Sequence, residues 1–323
     1  MPTILLSAPY MIPFQDRFRP VFEFYGIDLL VPDVHERMEE EELLPYAGLV
    51  DGAVCGDDRY SARVLERFAP RMKVISKWGT GIDSIDRQAA VALGIQVRNT
   101  PNAFTLPVAD TVMGYMLAYA RRQPWMDQQM KAGIWDKIPG RSLSECTLGV
   151  IGVGNIGKAV LRRARVFGMQ LLGTDIIPIA PNFVLENGME MTCLEDLMRR
   201  SDFISVNCDL NPTSYHIINP RSLSWCQPHA VIINSARGPL VDEPALVAAL
   251  QSGQIAGAAL DVFEQEPLPP SSPLRAMENV MLAPHNANSS PSAWERVHWN
   301  TIRNLIDGLG LDPTEVSRIQ NMV

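Results

Sequence analysis

Along the chain, short apolar runs rich in β-branched residues alternate with stretches whose apolar positions recur every three to four residues. The runs predict strands at Thr3–Ser7, Asp28–Val31, Leu49–Cys55, Val74–Ser76 and Gln96–Arg98. Helical periodicity predicts helices near Asp16–Tyr25, His35–Leu44, Ser61–Phe68 and Ile85–Leu93, the last stopped by Gly94. A longer helix is expected over Leu106–Arg121, with Pro107 in its first turn, where a missing N–H is harmless. Gln123–Ser144 reads as irregular, because Pro124, Gly133, Pro139 and Gly140 punctuate it. The rhythm then resumes. Strands are predicted at Thr147–Val153, Gln170–Asp175, Phe203–Asn207, Ala230–Asn234, Ala256–Val262 and Val280–Ala283. Helices are predicted near Ile156–Phe167, Leu194–Arg200, Pro220–Trp225, Glu243–Gln251 and Pro291–Leu309. Glu264–Pro273 holds four prolines and must be loop. Strands alternating with helices in this way signify βαβ units and parallel sheet, an α/β fold.

Composition narrows the function classes. The 323 residues suggest about two domains, with 46% apolar and 20% charged residues, as in ordinary globular chains. The net charge of −8 and the lack of any Lys/Arg cluster argue against nucleic acid as a partner. No apolar stretch approaches the ~20 residues that span a bilayer, and the N-terminus lacks the basic start of a signal peptide, so a cytoplasmic, membrane-free location is expected. The five cysteines are scattered with no C-x-x-C pair. Reduced thiols are expected, with no disulfide framework and no metal site.

Gly149-Val-Ile-Gly152-Val-Gly154-Asn155-Ile156-Gly157 contains G-x-G-x-x-G between a predicted strand and a predicted helix. Gly152 permits the tight turn, Gly154 lets a pyrophosphate approach the backbone, and Gly157 lets helix pack on strand. The phosphates then meet free N–H groups at the helix N-terminus. Asp175 ends the next strand, 18 residues past Gly157. A carboxylate there hydrogen-bonds ribose hydroxyls and repels a 2′-phosphate, which points to NAD. Gly157-Lys158 is followed by Ala159, so the P-loop pattern is not matched.

Three further strand ends carry reactive side chains: Asn234-Ser235-Ala236-Arg237-Gly238, then Asp261-Val262-Phe263 leading to Glu264-Gln265-Glu266-Pro267, then Pro284-His285. Ligands of open parallel sheets bind beyond the carboxyl ends of strands. A cation, carboxylates and a histidine at one sheet edge suit hydride transfer to a 2-oxo acid. Arg binds carboxylate and carbonyl bidentately, and His donates a proton near neutral pH. A carboxylate orients the imidazole, and Glu266 is the candidate; taken singly, Glu264 and Glu266 also read as solvated loop acids.

Taken together, these residues resemble the D-isomer-specific 2-hydroxyacid dehydrogenase family, the group that includes phosphoglycerate dehydrogenase. The likeness rests on Lys77-Trp78-Gly79-Thr80-Gly81-Ile82-Asp83-Ser84-Ile85-Asp86, Asn99-Thr100-Pro101, Gly133-x-Trp135, the glycine loop and the three strand ends. It implies two doubly wound parallel-sheet domains, a Rossmann NAD domain inserted in a flavodoxin-like substrate domain and closing on it across a cleft. The substrate domain would comprise residues 1–99 and 291–323, and the NAD domain 100–290. By matching position, Arg237 would bind substrate, His285 would be the acid/base and Glu266 its partner. Lys77, Trp78 and Gly79 would meet the substrate. Beyond the glycine loop and Asp175, the cofactor residues would be Cys208, Asp209, Thr213, Ala236, Asp261 and Asn288, with Asp261 at the nicotinamide carboxamide. A homodimer joined through the NAD domains is also implied.

Some positions depart from the family pattern. Cys208-Asp209 falls where His-x-Pro is common, Asn286-Ala287-Asn288-Ser289 replaces a small-apolar and glycine run, and Asn102 replaces a glycine. Lys77 and Trp78 stand where Arg and a small residue are frequent, and Trp78 is expected to narrow the substrate pocket. The expected function is an NAD-dependent oxidoreductase interconverting a 2-oxo acid and a D-2-hydroxy acid. The alternatives are an NAD-responsive corepressor-like binding protein and a formate- or phosphite-type dehydrogenase.

Overall fold

Apolar runs buried on both faces of a parallel sheet need helices on both sides, and the chain builds two such sheets. The computed structural model describes residues 1–322. It forms two compact units, one of Met1–Phe104 with the chain from Ser290 onward, the other of Thr105–Ser289.

The first unit runs β1 (Thr3–Leu6), α1 (Gln15–Tyr25), β2 (Asp28–Leu30), α2 (Glu40–Leu43), β3 (Gly52–Cys55), α3 (Ala62–Phe68), β4 (Val74–Lys77), α4 (Arg87–Ala92) and β5 (Gln96–Arg98). Its five parallel strands lie in the order β2-β1-β3-β4-β5. Ser61 and Asp86 cap α3 and α4 by accepting backbone N–H groups, and Gly94 leaves α4 in the left-handed region. The helix expected over His35–Leu44 contracts to the single turn α2, opened by a capping box of Glu39 and Glu42. Upstream, the Met38 N–H donates to the Asp58 carboxylate at 2.7 Å instead of entering a helical ladder.

The second unit runs α5 (Thr105–Arg121), α6 (Gln123–Lys131), β6 (Thr147–Ile151), α7 (Asn155–Val166), β7 (Gln170–Thr174), α8 (Pro181–Asn187), β8 (Met189–Met191), α9 (Leu194–Arg200), β9 (Phe203–Val206), α10 (Pro220–Leu223), β10 (Val231–Asn234), α11 (Glu243–Gln251), β11 (Gly257–Leu260) and β12 (Val280–Leu282). Its seven parallel strands lie in the order β12-β11-β10-β9-β6-β7-β8. Side chains alternate between two cores: Val150 and Ile233 join Val112, Met116 and Val160 on one face, while Ile151 and Ile232 join Leu197, Leu246 and Leu250 on the other. Three expectations change, the first being α8, which the sequence does not predict as a helix. The segment from Gln123 is helical as far as Lys131, because Pro124 falls in the first turn of α6. β8, an edge strand of three residues, is too short to show a period.

The chain then returns to the first unit through α12 (Pro291–Gly308) and α13 (Thr314–Gln320). α12 lies tight against β4. A Cβ on Gly308 would come within 2.3 Å of Val74 Cγ2, and Ser76 Oγ donates to the Thr301 carbonyl at 2.7 Å. α13 had no counterpart among the expected helices.

Candidate active site

In the second unit the strand order reverses at β6, which has β7 on one side and β9 on the other. This is where open α/β sheets bind ligands. β6 ends in Gly152 at φ +91°, a conformation that suits glycine. A Cβ there would lie 2.5 Å from the Cys208 nitrogen, so the loop and the end of β9 touch backbone to backbone. A Cβ on Gly157 would lie 2.1 Å from the Gly152 carbonyl oxygen, which locks α7 onto the loop. Gly154 has nothing within 4 Å of such an atom, so the backbone there is open to approach. No side chain caps α7 at Gly154. These features fit a pyrophosphate on a helix N-terminus.

Asp175 follows β7 beside this loop. Its Oδ2 accepts the Val153 N–H at 2.7 Å and its Oδ1 the Ile177 N–H at 2.9 Å, which fixes the carboxylate against the glycine turn. Cys208 is half-buried, and burial pushes its thiol up to about 11, so it stays protonated. Asp209 and Thr213 belong to a turn organised by Asn211 and Ser214. The Asp209 carbonyl accepts from Ser214 Oγ at 2.6 Å, and the Thr213 hydroxyl donates to Asn211 Oδ1 at 2.7 Å.

The next three strands end in one interlocked group of loops. Beyond β10, buried Asn234 clasps the turn: its Nδ2 donates to the Arg237 carbonyl at 2.8 Å and its Oδ1 accepts the Ala236 N–H at 3.1 Å. The Arg237 Nη1 donates to the Ala236 carbonyl at 2.8 Å, folding the guanidinium along the turn. A Cβ on Gly238 would fall 1.8 Å from the Phe263 carbonyl oxygen, so this turn is seated directly on the loop beyond β11. In that loop Glu266 Oε1 accepts the Phe263 N–H at 3.0 Å, and Oε2 lies 3.0 Å from His285 Nδ1. A carboxylate has no proton to give, so Nδ1 carries the hydrogen and Nε2 faces away from Glu266. Glu264 points elsewhere and pairs with His216 Nε2 at 2.5 Å.

Asp261, almost fully buried, holds the histidine loop. Its carbonyl accepts the His285 N–H at 2.7 Å, and its carboxylate accepts the N–H groups of Asn286 at 2.7 Å and Ala287 at 2.8 Å. Burial raises the pKa of its carboxyl, against the pull of these donors and of His285. His285 itself has φ +49°. The Asp261 carboxylate thus supports a histidine backbone that a non-glycine residue rarely adopts. Asn288 follows in the same turn. Asn234, Gly238 and the structural part of Asp261 were not identified from sequence. The signal available was a buried polar residue at the very end of an apolar strand.

In the first unit, β4 ends in Lys77. This side chain is buried, and its ammonium lies 3.1 Å from Asp57 Oδ1 while donating to the Trp78 carbonyl at 2.9 Å. Gly79 has φ +109°, and its carbonyl accepts the Thr100 N–H at 2.8 Å. Asn102, where the family pattern has glycine, occupies the left-handed region at φ +62°, which Asn tolerates.

A doubly wound sheet with a dinucleotide loop at its switch point and an imidazole–carboxylate pair on neighbouring strand ends defines a nicotinamide-dependent oxidoreductase. Residues 113–287 match the family described as D-isomer specific 2-hydroxyacid dehydrogenase, NAD binding domain. A glyoxylate reductase from Thermofilum pendens is 40% identical over 284 residues, 84% of this chain and 84% of that one. A D-3-phosphoglycerate dehydrogenase from Methanocaldococcus jannaschii is 40% identical over 265 residues, 81% of this chain but 50% of that one. Among solved structures, D-lactate dehydrogenase from Aquifex aeolicus complexed with NAD and lactic acid superposes with a TM-score of 0.82 at 26% identity, covering 95% of this chain and 96% of that one. The chain belongs to the D-isomer specific 2-hydroxyacid dehydrogenase family and is an NAD-dependent enzyme. No helix of the described residues is long and apolar enough to cross a membrane.

Proposed function

We propose that this enzyme reduces a 2-oxo acid to the D-2-hydroxy acid and runs the reverse oxidation, with His285 as acid/base, Glu266 as its positioning partner and Arg237 on the substrate. The observation that carries this reading is the 3.0 Å contact between Glu266 and His285 Nδ1, in the same unit as the glycine loop and the Arg237 turn. Bound NADH supplies the hydride for the carbonyl carbon. As the carbonyl double bond opens, its oxygen needs a proton, and protonated His285 gives the one on Nε2. The Nδ1–H stays on Glu266, so the ring is held in one orientation before and after transfer. The Arg237 guanidinium presents paired donors to the carboxylate and carbonyl, and draws an anion into a chain of net charge −8. In oxidation the neutral imidazole takes the hydroxyl proton back.

In the first unit, the main chain at Trp78 and Gly79 is assigned to the substrate carboxylate. Lys77 acts there through its bond to the Trp78 carbonyl, which turns the following N–H the opposite way. Cys208, Asp209, Thr213, Ala236, Asp261 and Asn288 are assigned to the cofactor. A homodimer joined through the second unit, where Met130, Ile134 and Trp135 are exposed near α6, belongs to the same reading.

A panel of 2-oxo acids followed by NADH absorbance tests it. His285→Ala and Arg237→Ala each lose at least about 100-fold in turnover, the scale of a lost preorganised donor, and still bind NADH. Near-normal turnover in either variant refutes the roles. A wild type that binds NADH tightly yet reduces nothing on the panel is a binding protein. One that instead oxidises formate or phosphite is a dehydrogenase of that type.

A further inference from the structure

β7 and β9 both pair with β6, and their ends bring two carboxylates to the glycine turn from opposite sides. Ile151 lies opposite Thr174 on β7 and Val206 on β9, so Asp175 stands one residue beyond that row and Asp209 three residues beyond it. The Asp175 carboxylate is committed to the Val153 and Ile177 N–H groups. Asp209 is held differently. Its carbonyl accepts from Ser214 Oγ at 2.6 Å and from Asn211 Nδ2 at 3.2 Å, and Ser214 is buried. The turn thus fixes the Asp209 backbone, while its exposed carboxylate has no hydrogen bond or ion pair among the described residues. No Lys or Arg stands in residues 175–180 or 207–215 to neutralise either acid. Both acids add to the burial that keeps the Cys208 thiol protonated, so both lie within electrostatic reach of that sulfur, where the Cys208 backbone meets Gly152.

The same edge carries apolar surface. Ile176 and Ile177, directly after Asp175, are 77% and 66% exposed. One apolar side chain in water is ordinary, but two in succession beside a ligand loop form a platform for a flat ring. A dinucleotide with its pyrophosphate at Gly154 and its ribose on Asp175 carries its purine just beyond that ribose, in the crevice outside the strand ends. The two isoleucines and the Cys208–Asp209 loop border that crevice.

We propose that Asp209 reads the purine of the dinucleotide, accepting a hydrogen bond from the adenine 6-amino group and so selecting adenine over 6-oxo purines. This rests on the assignment of Asp209 to the cofactor given above. Asp209 is particular to this chain, since the family pattern has Pro there. A carboxylate offers acceptors only. Adenine presents a donor at its 6-amino group, whereas hypoxanthine presents a carbonyl oxygen, so acceptor would face acceptor. Because the turn is already fixed, little ordering is lost when the contact forms. Hydrogen bonds to a charged partner discriminate by about 10- to 100-fold.

The experiment measures dissociation constants of NADH and of its hypoxanthine analogue, deamino-NADH, by nicotinamide fluorescence titration of the full-length enzyme. The two ligands differ only in the purine, so effects on the pyrophosphate or on net charge cancel in the ratio. Wild type binds NADH at least about 10-fold more tightly. Asp209→Ala brings the ratio below about threefold. Asp209→Asn lowers it at least as far, because its amide can turn a donor toward the 6-oxo group. Melting temperatures verify that each variant is folded. Equal constants in the wild type overturn the inference, and so does an undiminished ratio in the folded variants. If Asp209→Ala weakens both ligands equally, the inference falls while the assignment of Asp209 to the cofactor stands. If it changes neither constant, both fall. If Asp209→Ala does not fold, the wild-type ratio and Asp209→Asn decide.

Discussion

Gly238 joins the Arg237 turn to the loop that carries Glu266, so Gly238→Ala perturbs the reacting group without deleting any of its members. The added Cβ would stand 1.8 Å from the Phe263 carbonyl oxygen, 1.9 Å from its carbon and 2.5 Å from the Glu264 nitrogen. Cβ atoms essentially never approach within 3.0 Å, so one loop must retreat by at least 3.0 − 1.8 = 1.2 Å. Neither has an easy direction. Asn234 grips the Arg237 turn from below, and the Phe263 ring is 7% exposed in the core beneath β10 and β11. The Phe263 N–H is also the donor that orients Glu266 Oε1. The displacement therefore reaches Arg237 on one side and the Glu266–His285 pair on the other. Overpacking of this kind costs about 1–3 kcal/mol of stability. A misplacement of about 1 Å in a reacting group costs about 100-fold in rate, or ~2.7 kcal/mol of transition-state stabilisation. Steady-state kinetics on the best 2-oxo acid should show kcat lowered about 100-fold, a larger loss than that in NADH affinity, because the pyrophosphate loop lies on other strands while Ala236 and Asp261 adjoin the displaced turn. A folded Gly238→Ala enzyme with kcat within about threefold of wild type would refute the coupling.

Three more outcomes follow from the same structure. Gly154→Ala places a methyl in open space, so the melting temperature stays within about 2 °C while NADH binding weakens at least 10-fold by fluorescence titration; unchanged binding would remove the pyrophosphate from that backbone. Glu266→Gln weakens the orientation of His285 and lowers kcat at least 10-fold, whereas Glu264→Gln, which touches His216, changes it less than threefold; equal losses would contradict the assignment. Burial raises the Asp58 carboxyl from 3.8 to about 6, so between these values the folded state binds more protons than the unfolded one, and stability falls as pH rises from about 4 to 6. Asp58→Asn removes that slope: its stability relative to wild type should be greater at pH 8 than at pH 4.5, by ~2 kcal/mol in urea titrations, and a pH-independent difference would refute it.

The sequence alone determined the class of architecture, because continuous apolar runs alternating with helical periods have few ways to be buried other than as parallel strands covered by helices. It also determined the family, the NAD cofactor and the oxidoreductase activity, since a dinucleotide turn needs glycine at set spacings and those residues lie close together in the chain. Local pattern failed where the element was short or its signal ambiguous. β8 spans three residues, and Pro124 reads equally as a breaker or as a first-turn residue.

The sequence named Glu266 as the partner of His285, and tertiary structure decided how that contact is made and what the neighbouring Glu264 meets instead. Glu264 and Glu266 differ by two positions in a proline-rich loop, and the fold turns one toward His216 and the other toward His285. It likewise decided that Lys77 spends its charge on Asp57 and on a backbone carbonyl, and that Trp78 folds into a ring cluster drawn from β1, β4 and α12 segments far apart in sequence. Such pairings depend on which strand ends the parallel sheet sets side by side, and one-dimensional spacing carries no record of that.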